Sequence, residues 1–81
     1  MVQQGSEEIQ TVLYFDEDKL WAMMVKKKIS PKVLIVETDV EPRAFAEWIT
    51  GQAAPRPSNI RRIARVLGIK PEQLMTEYAA E

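Results

Sequence analysis

"ISPKVLIVETDVEPRAFAEWITG", residues 29–51, is the stretch on which the fold turns. Ser30-Pro31 is a start signal: a hydroxyl able to cap a helix, then a proline at the first helical position, where its missing N–H is no loss. "KVLIVE" by itself reads as strand or helix. The Ser-Pro start selects helix and sets its end near Thr38-Asp39. Asp39 tolerates a left-handed turn conformation, though less well than glycine. Pro42 opens a second short helix, "PRAFAEWIT", which Gly51 stops as a C-terminal cap. At helical spacing Phe45, Trp48 and Ile49 fall on one face of that helix, and Arg43, Ala46, Glu47 and Thr50 on the other.

Further helices are expected on either side. Downstream, after "QAAPRP", Ser58 reads as the cap of "NIRRIARVLG". Ile60, Ile63, Ala64 and Leu67 would point inward there, Arg61, Arg62 and Arg65 outward, and Gly68 would end the helix. Pro71 then opens a last helix, "PEQLMTEYA", with Leu74, Met75 and Tyr78 able to pack back. Upstream, Asp16 reads as an N-cap, with Glu17 and Asp18 suited to the positive end of the dipole. Leu20, Met23 and Met24 recur at helical spacing, and Lys26, Lys27 and Lys28 crowd the last turn.

The first fifteen residues behave differently. Residues 1–7 read as disordered, and "EEIQTVLYF" is rich in β-formers, with Ile9, Thr11, Leu13 and Phe15 on one face at period two. This is a short strand or an extended arm resting on the helices or on a second subunit. An otherwise helical chain offers a strand no ladder partner, so exchange between two subunits would supply one. The expected organisation is an arm over 1–15 and a helical domain over 16–81.

Composition narrows the function classes. The 81 residues contain no Cys and no His, which excludes disulfides and thiolate metal sites and removes the usual general base. Glu37, Asp39 and Glu41 alternate, but a helix and a turn scatter them, so no metal site is expected. No apolar run approaches a membrane span, the acidic, polar N-terminus does not read as a signal peptide, and a cytoplasmic protein is the expectation. The formal net charge of -1 hides a block pattern: five lysines and no acid over residues 19–36, and five bases and no acid over 51–70, set between acidic stretches. Such blocks are ordinarily solvated helix faces, and they meet phosphate only where the fold makes them converge.

The joints of these helices resemble those of the Cro/C1-type helix-turn-helix family, the lambda-repressor-like domains. The likeness covers about residues 16–78. It rests on residues 29–51, on the Pro-Ser start that follows, and on "IRRIARVLGIKPEQL". Leu34 with Ile35, Val40, Phe45 and Trp48 stand where family members place the apolar residues that lock two crossed helices. The resemblance implies an all-α, five-helix lambda-repressor-like fold with a short N-terminal strand or arm. It implies a bacterial or phage transcriptional regulator, nucleoid-associated, binding double-stranded DNA as a homodimer, with no catalytic role and no cofactor. The helix over 42–50 would lie in the major groove, which is about 12 Å wide.

Residue roles follow from the same likeness. Arg43 would read a base edge, most simply guanine; Ala46 would touch a thymine methyl; Glu47 would accept from cytosine. Thr50 would meet phosphate, as would Lys32 with the backbone N–H groups at its helix start. Arg56, Ser58 and Asn59 stand where the family grips the DNA backbone, and Arg62 adds charge; Arg61 and Arg65 read as solvated. The chain departs from the family in three places. Asp39 replaces the usual glycine, Glu41 the usual Ser or Thr cap, and Pro42 a residue that often carries a base-reading amide. Asp39, Glu41 and Glu47 make the reading surface acidic, and like charge facing phosphate is costly. The competing function is therefore a protein-binding adaptor, antitoxin-like or anti-repressor module on the same scaffold.

Overall fold

The computed structural model describes residues 11–79. The reading of residues 1–7 as disordered, and of Ile9 as part of a strand face, lies outside them. In chain order the elements are β1 (Thr11–Phe15), α1 (Glu17–Lys27), α2 (Pro31–Thr38), α3 (Pro42–Ile49), α4 (Pro57–Leu67), a single 3-10 turn (Pro71–Leu74) and β2 (Met75–Ala79).

The expected five-helix, all-α fold is thus corrected to four helices and a two-stranded sheet. Pro71 does start a turn, closed by Gln73 N–H donating to the Lys70 carbonyl and by Lys70 N–H donating to Gln73 Oε1, each at 2.9 Å. The helix does not continue. Leu74 drops into the core and Met75 is extended, at φ -130° and ψ 156°. Residues 75–79 then pair antiparallel with β1, from Phe15 opposite Met75 to Thr11 opposite Ala79. Each strand pairs with the side of the other that faces it, so the partner that the arm requires is supplied by the same chain. β-forming Thr76 and Tyr78 suit that extended conformation better than a helix.

The helices end much as their punctuation demands. Asp16 caps α1, its side chain accepting from the Asp18 and Lys19 N–H groups. Lys28 and Asp39 take left-handed conformations, both at φ 58°, closing α1 and α2. Gly51 and Gly68 do the same after α3 and α4. α4 begins two residues earlier than expected. Pro57 is its first residue and Arg56 its N-cap, so Ser58 is not the cap. A proline's fixed φ suits the first helical position and outweighs the hydroxyl's preference for the cap.

All four helices and the 3-10 turn contribute to one core. Leu20 and Met24 come from α1, Leu34 from α2, Phe45 and Trp48 from α3, Ile60, Ile63, Ala64 and Leu67 from α4, and Leu74 from the turn. The Phe45 and Trp48 rings meet edge to face, centroids 6.1 Å apart, a geometry that adds to their area burial. Thr38 is the buried polar residue of α2, and its hydroxyl is satisfied by donating to the Leu34 carbonyl at 2.6 Å.

Candidate nucleic-acid interface

α3 divides cleanly by face. Phe45 and Trp48 are 1 % and 6 % exposed, so the helix is anchored by its two largest side chains. Arg43, Ala46 and Thr50 are exposed and Glu47 is half-buried. Spacings of three, four and seven residues put these four on a single stripe free of core duty. The preceding turn fixes how the helix enters. Asp39 N–H donates to the Ile35 carbonyl at 3.0 Å, and half-buried Val40 packs against the core. Glu41 precedes α3 without a side-chain cap.

The groups expected to meet phosphate are differently placed. Lys32 is exposed on the first turn of α2. Of the backbone donors beside it, Pro31 has none and Val33 N–H already donates to Ser30 Oγ at 3.2 Å, so the Lys32 amide is the one left in that turn. The Thr50 hydroxyl donates to the Ala46 carbonyl at 2.8 Å. A phosphate oxygen, being an acceptor only, would have to take that proton away. Arg56 and Ser58 are exposed on the link and the start of α4, and Asn59 is half-buried. Arg62 is exposed on α4 and lines a polar cleft with Arg65, Val66, Glu37, Thr38 and Asp39, between the end of α2 and α4. Two acids, Glu37 and Asp39, therefore share a cleft with arginines of the same chain.

One contact had no signature in the sequence. The Trp21 indole N–H, on α1, donates to the Ile49 carbonyl at the C-terminal end of α3, at 3.1 Å. Trp21 stays 41 % exposed. Helical periodicity places residue 21 on the outer side of α1 and gives no hint of a partner 28 positions away.

This arrangement agrees with what the chain as a whole matches. The family model for the Cro/C1-type HTH DNA-binding domain matches residues 19–79. The chain belongs to this family. No curated protein and no solved structure matches it. Cro/C1-type HTH domains are known for sequence-specific DNA binding and transcriptional regulation and are not catalytic. The matched span begins within α1 and ends with β2, so both the anchored reading helix and the closing strand lie inside it. Among the described residues of this Cro/C1-type domain, no helix is long and apolar enough to cross a membrane.

Proposed function

We propose that this Cro/C1-type domain is a sequence-specific transcriptional regulator that reads the major groove with α3 as a homodimer, in the cytoplasm at the nucleoid. One observation carries the reading: Phe45 and Trp48 are turned into the core while Arg43, Ala46 and Thr50 stand in solvent along the opposite stripe. Arg43 reads guanine, Ala46 a thymine methyl and Glu47 a cytosine amine, each within reach of a helix lying in the groove. Lys32, Thr50, Arg56, Ser58 and Asn59 grip phosphate on either side, and Arg62 contributes charge from α4. A single module makes few phosphate contacts, and two copies on a two-fold operator double both contacts and half-sites.

The acids of the same region support a second reading. Asp39 and Glu41 are exposed beside α3, and repel phosphate while suiting a basic protein surface. On that reading the domain is an adaptor or anti-repressor whose α3 meets another protein.

Selection from random oligonucleotides at low and moderate salt separates the two. DNA reading gives an enriched palindrome whose binding falls steeply with salt and is lost in Arg43→Ala. Absence of any enriched sequence at low salt rejects DNA reading.

A further inference from the structure

We propose that Trp21 is a positioning residue for the reading helix: its indole N–H ties the C-terminal end of α3 to α1 and sets how Thr50 meets the DNA backbone. The inference rests on the DNA-reading function proposed above.

α3 has eight residues and makes no side-chain cap at its N-terminal end. A helix so short does not hold its own geometry in water, and its last carbonyls need donors from outside the helix. The carbonyls of Ala46, Glu47 and Trp48 find theirs nearby. Thr50 Oγ donates to Ala46, Gln52 and Ala53 N–H to Glu47, and Gly51 N–H to Trp48. All of these donors belong to the segment that follows α3 and move with it. The Ile49 carbonyl is different, because its donor is the Trp21 indole on another helix. Burial does not account for this side chain, since two-fifths of its surface remains in water. Its N–H is what reaches α3.

The consequence is geometric. The entry of α3 is set by the turn at Asp39 and Val40, and its flank by Phe45 and Trp48 in the core. Its exit, with Thr50, is set by Trp21. A recognition surface works only when its groups are held within about 0.5 Å of the productive geometry, so releasing the exit loosens the phosphate contacts made there.

Trp21→Phe keeps the aromatic body and removes the donor. In the full chain without DNA, amide hydrogen exchange at Gly51, Gln52 and Ala53 is expected to speed up several-fold, with Phe45 and Ile63 unchanged. On the selected oligonucleotide, affinity is expected to fall about five- to thirtyfold, the weight of one or two kcal/mol. The slope of log affinity against log salt should stay unchanged, because residues 50–53 carry no charge and release no counterion. Unchanged exchange at residues 51–53 overturns the proposal whether or not DNA binds. So does an affinity loss that tracks only thermal stability. Faster exchange in a protein whose wild type binds no DNA rejects the DNA-reading function, and the positioning role falls with it.

Discussion

Asp16 and Thr76 stand 60 residues apart, and the Thr76 hydroxyl donates to Asp16 Oδ2 while Oδ1 of the same carboxylate caps α1. One side chain therefore joins the start of the first helix to the closing strand. Two neighbouring bonds reinforce it: Asp16 N–H donates to the Leu74 carbonyl at 2.9 Å, and Lys19 Nζ to the Met75 carbonyl at 2.6 Å. Among the described residues β1 and β2 form a two-stranded sheet, which is marginal alone in water. This junction anchors it to the helices.

A pH dependence follows from that junction. The Thr76 hydrogen bond, foremost, and then the Lys19 and Asp18 backbone N–H groups hold the Asp16 carboxyl below its ordinary 3.8, against an opposing effect of desolvation. Its folded pKa is thus lower than its unfolded one. Its contribution is full above the unfolded pKa and is lost as pH falls through the folded value. Asp16→Ala is expected to cost about 1–2 kcal/mol at pH 7, from the lost cap and the unpaired Thr76 hydroxyl. In urea denaturation the gap between wild type and variant should narrow below pH 4. A gap unchanged from pH 7 down to pH 2 would refute the role of the charge.

Two glycines with similar backbones make a controlled pair. Gly51 has φ 78° and a Cβ there would lie 2.8 Å from Glu17 Oε2; Gly68 has φ 71° with nothing within 4 Å of its Cβ position. Alanine at either site carries the left-handed strain, about 1–2 kcal/mol. Gly51→Ala should cost more than Gly68→Ala, but only slightly, because the obstructing atom is the end of a flexible side chain. The excess should vanish in a Glu17→Ala background, measured by denaturant midpoints. An excess that persists there would place the obstruction elsewhere.

Much of the helical framework is legible from punctuation, because Pro31, Pro42 and Gly68 act through their own backbone geometry. The inward faces of α3 and α4 are legible for a related reason: at period 3.6 the apolar residues of an amphipathic helix have one place to go. The last element is not. "PEQLMTEYA" has apolar residues compatible with a helix, and its helical beginning is real. What redirects it is β1, more than 55 residues earlier, whose unpaired backbone needs a ladder. The one available signal was that need itself, together with the β-forming Thr76 and Tyr78. The candidate site divides similarly. The stripe of Arg43, Ala46, Glu47 and Thr50 follows from local spacing, whereas the Trp21 bond and the cleft holding Arg62 depend on how separate helices come together.

Asp39 offers a test of the turn and of that cleft at once. Its φ of 58° is a conformation that glycine adopts freely and aspartate tolerates at a cost. It also lines a cleft with Arg62 and Arg65, opposite charges whose attraction would offset part of that cost. Salt separates the two effects, since attraction between exposed charges is screened within about 3 Å at 1 M while backbone strain is not. Asp39→Gly is therefore expected to stabilise the fold by about 0.5–1 kcal/mol in 1 M salt, and by less at low salt, where the lost attraction subtracts. The same variant removes a negative charge beside the reading helix, so its binding to unselected DNA at low salt should tighten. Denaturant titrations at two salt concentrations and a filter-binding assay read these outcomes. A stabilisation larger at low salt than at high salt would mean that Asp39 is repelled where it sits, by Glu37 in the same cleft, more strongly than the two arginines hold it.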